Sequence, residues 1–273
     1  MDAADFNNTL ISLLTIFLLV GSIAFWVWTF RTLRKGGVPV PERFHWKPVR
    51  VPRLALFLNL ILLVFYLQAV VRSQGLIPNL TPEEIRMTLQ GMLFEGGIVL
   101  AVIFPALFFG TRSRTDRYRL GLRCHEFREQ IREGALGLIA AVLPVGLMLV
   151  VMSSIRTPET EHPFLRLLRD SPHGPEALIV IVSAVILAPL KEELMFRVIL
   201  QSWLEEFCPA WLAVVGSSLV FAAVHGFPDA VALIPLALIL GYLFQRRRSY
   251  LAVVTLHALF NAYNVLATIM SSS

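Results

Sequence analysis

The chain has 273 residues, of which 56% are apolar and 16% are charged, with a formal net charge of +5. Ordinary soluble domains carry roughly 45–50% apolar and about 25% charged residues. This composition therefore excludes a soluble enzyme, a disordered chain and a disulfide scaffold, and it indicates an integral membrane protein. The two cysteines, Cys124 and Cys208, match no metal-ligand spacing, and we assign them no role.

Eight apolar segments follow one another along the chain, and most reach the roughly 17–25 residues that a membrane-spanning helix needs. We therefore expect an all-α fold, a polytopic membrane helix bundle with about eight transmembrane helices. The fifth segment includes charged residues, and a turn at 226–229 separates the short sixth and seventh segments. The segments are 8–30, 54–71, 89–110, 134–152, 176–200, 210–225, 229–245 and 250–270.

The basic residues are divided unevenly between alternate loops. Residues 31–53 and 111–133 hold seven each, and three arginines at 246–248 bring this set to 17, against five in the other loops. The positive-inside rule places the larger set in the cytoplasm and both termini outside. The only charged residues before the first segment are acidic, and the segment is long, so we expect a membrane anchor rather than a cleaved signal peptide. The basic charge also favours contact with anionic membrane lipids, whereas nucleic-acid binding is not expected.

Ionisable residues within the fifth segment are the main functional signal, because such groups usually face a bundle interior or a wet cavity. Glu193 and Arg197 are four residues apart and can form an ion pair on one helix face. Glu192 lies about 100° around the helix from Glu193 and has no partner for an ion pair on its own helix. A carboxylate without such a partner suits general-base chemistry. Pro189 is expected to kink this helix. The structural alternative is an interfacial helix end with solvated charges.

Three further polar residues lie in the sixth and eighth segments. His225 ends the sixth, and His257 and Asn261 share one face of the eighth. A helix rises about 1.5 Å per residue. Counted from the cytoplasmic ends of the helices, these three residues and Glu192 all lie near the middle of a membrane core about 30 Å thick. Taken singly, His225 is equally consistent with a helix cap, and the other two with polar contacts between helices. Together they predict a water-filled pocket, closed toward the outside and open to the cytoplasm.

Hydrolysis by activated water fits these groups best. Glu192 would take the proton of the water, and His225 would help to hold that water. His257 and Asn261 would donate hydrogen bonds to the developing oxyanion. In the alternative, the glutamate and two histidines bind zinc as a known catalytic set. The H-E-x-x-H spacing is absent, so the cofactor is left open between none and one divalent metal such as zinc.

The same residues resemble the motifs of the CAAX prenyl protease type 2 and bacteriocin-processing family, also called CPBP or Abi, which includes lysostaphin-resistance-like proteins. The family pattern is E-E-x-x-x-R, then F-x-x-x-H, then H-x-x-x-N or D, on successive membrane helices. The matching residues are Glu192, Glu193, Arg197, Phe221, His225, His257 and Asn261. The resemblance implies an intramembrane endopeptidase. It implies catalytic roles for Glu192, His225, His257 and Asn261, and supporting roles for Glu193 and Arg197.

We expect a CAAX-protease-like membrane domain over residues 120–273, preceded by about three unassigned membrane helices over 1–119. The expected location is the plasma or inner membrane. The expected partners are membrane lipids and a membrane-associated peptide or protein substrate, either prenylated and CAAX-like or small. Two alternatives remain: a non-catalytic immunity or scaffold protein that binds a peptide in the same cavity, and a proton-coupled transporter, although the inverted repeats typical of transporters are not evident.

Overall fold

The structure, a computed structural model, describes residues 3–40, 47–73, 82–123, 125–155, 163–170, 172 and 174–271. Cys124, Arg43 and Arg156 lie outside the described residues. All regular secondary structure in the described part is helical, which confirms the predicted all-α fold. The helices are α1 (Ala3–Arg34), α2 (Arg53–Ser73), α3 (Pro82–Gly110), α4 (Arg114–Arg119), α5 (Phe127–Met152), α6 (Pro163–Asp170), α7 (Pro175–Val182), α8 (Ala188–Glu193), α9 (Ser202–Leu204), α10 (Ala210–Ala223), α11 (Asp229–Arg247) and α12 (Tyr250–Met270).

Six of the described helices are long and apolar enough to cross a membrane, namely α1, α2, α3, α5, α11 and α12. The predicted polytopic helical bundle is therefore confirmed. The other two predicted segments differ from this pattern. Helix α10 has only 14 residues, and the fifth segment carries several charges among its apolar residues. These are the two segments that supply Glu192 and lead to His225.

A continuous helical run over residues 175–204, here called the interrupted helix, carries the E-E-x-x-x-R motif. It consists of α7, α8 and α9, joined by two π-helical stretches at Ser183–Leu187 and Leu194–Gln201. Such π-helical turns are rare and occur frequently at functional sites. Pro189 lies just after the first π-helical stretch, where the regular i→i−4 bonding that a proline disturbs is already altered. The helix accordingly continues through Pro189, with its winding altered on both sides of α8.

Close packing of α12 against α5 holds the last helix in the bundle. A Cβ atom placed on Gly134 of α5 would lie 2.5 Å from the backbone oxygen of Ala252 on α12. Only glycine permits this approach, as is common where membrane helices pack backbone against backbone. The contact therefore fixes the position of α12, which carries His257 and Asn261.

The core of the bundle surrounds the middle of the interrupted helix. Phe196, Arg197 and Phe221 are all fully buried there, and the rings of the two phenylalanines meet edge to face with centroids 5.1 Å apart. Helices α2 and α3 pack against the interrupted helix, as do α10, α11 and α12. Helix α1 packs mainly on α5 and leaves most of its apolar side chains exposed, as expected for a helix that faces lipid.

Candidate active site

Three consecutive charged residues of α8 point in three different directions, because neighbouring residues on a helix are about 100° apart. Glu192 lines a cavity in the bundle. Glu193 bonds to His257 on α12. Lys191 bonds to Glu95 on α3. One short helix thus connects the cavity with two separate parts of the bundle.

The carboxylate of Glu192 faces both histidines of the motifs. Its Oε2 atom lies 3.7 Å from Nε2 of His225 and 4.0 Å from Nε2 of His257. Both distances are too long for direct hydrogen bonds. This Oε2 atom is buried, and it has no hydrogen-bond partner within the described residues. The structure therefore brings together the three titratable groups that the sequence places at one depth.

The neighbouring carboxylate, that of Glu193, is fully buried and contacts an arginine and a histidine. Arg197 donates from Nε to its Oε2 at 3.1 Å, which is the ion pair expected from the spacing. Its other oxygen, Oε1, lies 2.8 Å from Nδ1 of His257. The sequence did not reveal this second contact. Because a carboxylate in an ion pair only accepts hydrogen bonds, Nδ1 of His257 carries the proton and Nε2 is directed toward Glu192.

His225 lies two residues beyond α10 and is oriented by the last turn of that helix. Its Nδ1 atom donates to the backbone oxygen of Phe221 at 2.7 Å, since a carbonyl oxygen can only accept. The Nε2 atom is thereby left to face Glu192. The ring of Phe221 contacts the imidazoles of His225 and His257 at centroid distances of 4.7 and 5.7 Å. The guanidinium of Arg197 lies 5.0 Å from the same ring centroid, so this phenylalanine packs at the centre of the motifs.

Asn261 lines the same cavity and also connects two helices. Its Nδ2 atom donates to the backbone oxygen of Ala184, 2.8 Å away, in the first π-helical stretch. One of its two N–H groups is used in this bond, and the second is available to a ligand. Asn264, one turn further on, instead bonds to the backbone oxygen of Phe260 on its own helix. Of these two asparagines, only Asn261 therefore connects α12 to the interrupted helix by a side-chain hydrogen bond.

The cavity has a volume of about 330 Å³ and a mixed polar and apolar lining. Asp229 and Ser183 also line it, although the sequence patterns did not select either residue. A larger groove of about 630 Å³ lies between α1, α5 and α11, but it is almost wholly apolar and contains none of the predicted site residues. We place the site in the smaller cavity because its lining includes Glu192, His225, His257 and Asn261.

The residues do not fit the alternative zinc site. Among the described residues, no group of three His, Cys, Asp or Glu side chains has the geometry to hold a metal ion. No step proposed below passes through a metal.

The fold and the cavity define a multi-pass helical membrane protein with a glutamate and two histidines between its helices. Residues 174–263 match the family model described as type II CAAX prenyl endopeptidase, Rce1-like. This range contains all three motifs, and the resemblance to the CAAX prenyl protease family is confirmed over it. The match to this family model indicates a peptidase of the CAAX type, without specifying its substrate or mechanism.

Comparison with curated proteins finds no match, and comparison with solved structures also finds none. The division of the chain into 1–119 and 120–273 stays a prediction, because the family match begins at residue 174.

Proposed function

We propose that the protein is an intramembrane endopeptidase that cleaves a peptide bond with water activated by Glu192. One observation carries the proposal. A buried oxygen of this carboxylate, without a hydrogen-bond partner in the described chain, lies within 4.0 Å of two imidazole nitrogens. Polar atoms at such separations are commonly bridged by water. A water molecule held there can be deprotonated by the carboxylate while the imidazoles orient it.

The reaction then follows from the groups in the cavity. The water oxygen attacks the carbonyl carbon of the substrate, and its proton passes to Glu192. His257 in its doubly protonated form donates from Nε2 to the developing oxyanion, whose charge it balances, while Glu193 accepts from Nδ1 and holds the ring in place. The second N–H group of Asn261 supplies another donor to the same oxygen. The C–N bond breaks when the protonated Glu192 returns its proton to the leaving amine.

The substrate class follows from the position of the cavity in the bundle. Its lining comes from α3, α5, α6, α7, the first π-helical stretch, α8, α10, α11 and α12. A substrate must therefore reach it from within or beside the membrane. We propose a membrane-associated peptide or protein, either prenylated and CAAX-like or small. The uneven loop charges support a cavity that opens to the cytoplasm and a protein in the plasma or inner membrane, with residues 120–273 as its protease unit.

The test compares peptides in membranes from cells that produce the wild type, Glu192→Gln or Glu83→Gln. Glu83 is exposed on α3 and far from the motifs in sequence, so its variant controls for the loss of one carboxylate. We expect mass spectrometry to detect uncleaved precursors only with Glu192→Gln, at equal protein levels. Identical peptides in all three membranes would contradict peptide hydrolysis and favour a protein that only binds its peptide partner.

A further inference from the structure

A second polar cluster lies beside the candidate site, on a face of α8 about 100° around the helix from Glu192. Lys191 donates from Nζ to Oε2 of Glu95 at 2.9 Å and to the hydroxyl oxygen of Tyr66 at 3.1 Å. The Tyr66 hydroxyl donates in turn to the other oxygen of Glu95. Lys191 is only 8% exposed, and its ammonium also lies 5.1 Å from the Tyr66 ring centroid. Each of the three side chains therefore contacts both of the others.

This cluster connects the candidate site to the helices that the motifs do not include. Tyr66 belongs to α2 and Glu95 to α3, and both lie outside the matched range of 174–263. None of the three side chains lines the cavity, so none is positioned to touch a substrate there. Their effect on the site must pass through Lys191, which directly precedes Glu192 in the sequence.

The backbone explains why α8 needs such an anchor. This helix has six residues and lies between two π-helical stretches. Regular α-helical winding is altered on both sides, so a regular helix running from α7 to α9 would give α8 a different rotation. Side-chain bonds on either side of Glu192 hold α8 in the rotation observed. Lys191 is held by α2 and α3, and Glu193 is held by α12.

Close packing brings α3 near enough to hold α8. Gly96, the residue after Glu95, lies against the π-helical residue Leu187, and a Cβ atom at Gly96 would lie 2.6 Å from the leucine side chain. Because glycine has no side chain, the backbone of α3 can approach the interrupted helix at this point. Glu95 therefore meets Lys191 where the two helices are close.

We propose that Lys191 is a positioning residue, and that its contacts with Glu95 and Tyr66 fix the rotation of α8 so that Glu192 faces the two imidazoles. This inference rests on the proposed function of the cavity. It gives α2 and α3 a role in the reaction, because they hold the helix that presents the general base. The ion pair with Glu95 keeps the ammonium directed away from the cavity.

The test compares Lys191→Met with Arg86→Met. Arg86 also joins α3 to the interrupted helix, through an exposed ion pair with Glu176 at 3.3 Å, so the control removes a similar link far from Glu192. Each variant is purified in detergent and given a synthetic farnesylated peptide with a Cys-aliphatic-aliphatic-X end. We expect Lys191→Met to lower kcat by about 10²-fold with KM unchanged, the loss that a displacement of roughly 1 Å can cause. We expect Lys191→Arg, which keeps the ion pair, to recover most of that rate, and Arg86→Met to match the wild type.

A second measurement does not depend on cleavage. The ¹⁵N resonances of the His225 and His257 imidazoles, assigned with single histidine variants, report on the carboxylate that they face. We expect both resonances to move in Lys191→Met and in Glu192→Gln, and to stay unchanged in Arg86→Met.

The outcomes separate this inference from the proposed function. Unchanged resonances and unchanged kcat in Lys191→Met, with Glu192→Gln inactive, would overturn the positioning role and leave the peptidase intact. A wild type that leaves the farnesylated peptide intact and whose membrane peptides match those of Glu192→Gln, with both resonances moved in Lys191→Met, would overturn the peptidase and support the positioning role.

Discussion

The Oε1 atom of Glu193 lies 2.8 Å from Nδ1 of His257, a residue 64 positions later in the chain. The second glutamate of the motif thus holds an imidazole of the site in addition to its ion pair with Arg197. Both carboxylate oxygens are used, and the side chain is fully buried. Glu193 therefore has a structural task that differs from the chemical task we propose for the adjacent Glu192.

This difference predicts opposite effects of substitution at adjacent positions. We expect Glu193→Ala to lower the stability of the protein by about 3–5 kcal/mol, because it leaves the buried guanidinium of Arg197 without a counter-charge. Glu192→Gln should leave stability nearly unchanged and abolish cleavage. Thermal unfolding in detergent, measured beside peptide cleavage, checks both expectations. Equal midpoints for Glu193→Ala and the wild type would contradict the role of Glu193.

The amide of Asn261 gives a prediction about rate. If its free N–H group stabilises the oxyanion, Asn261→Ala should lower kcat by about 10²–10³-fold. The lost bond to Ala184 should cost only about 1 kcal/mol of stability. Asn59→Ala is the matched control, because Asn59 donates to the backbone oxygen of Met195 on the same interrupted helix at 3.3 Å and does not line the cavity. Equal rates for the two variants would remove Asn261 from the mechanism.

The E-E-x-x-x-R spacing was sufficient to predict the ion pair of Glu193 with Arg197, because both residues belong to one helix and their geometry is local. The common depth of Glu192, His225 and His257 also followed from helix rise alone. Their mutual orientation did not, since it depends on the two π-helical stretches around α8. No periodicity in the sequence indicates such stretches, so the contact between Glu193 and His257 was missed.

The Lys191 cluster could not be predicted from the sequence, for a different reason. Glu95 lies 96 residues from Lys191, and Tyr66 lies 125 residues from it. Contacts over such separations depend on which helices pack together and at what rotation. The unusual presence of Glu95 and Lys191 within apolar segments was the available signal, because buried charges in membrane helices usually pair with one another.

The arrangement of the site predicts the response to metal chelation. In the part of the chain that the structure describes, no group of three His, Cys, Asp or Glu side chains is arranged to hold a metal ion, and the proposed mechanism uses none. We expect cleavage to persist after dialysis against EDTA and o-phenanthroline, and zinc to be far below one equivalent in the active protein. Activity that disappears on chelation and returns with added zinc would contradict this expectation and the metal-free mechanism.

The contact between α5 and α12 gives a prediction about packing. A Cβ atom on Gly134 would lie 2.5 Å from the backbone oxygen of Ala252, which cannot move away as the end of a flexible side chain could. We expect Gly134→Ala to destabilise the protein by about 1–3 kcal/mol and to reduce cleavage, because α12 carries both His257 and Asn261.

Gly146, on the same helix, has nothing within 4 Å of a Cβ atom placed on it. Gly146→Ala should therefore stabilise the protein by roughly 0.5–1 kcal/mol, the usual gain for alanine over glycine within a helix, and should leave cleavage unchanged. Unfolding midpoints that move in the same direction for the two variants would contradict the packing argument.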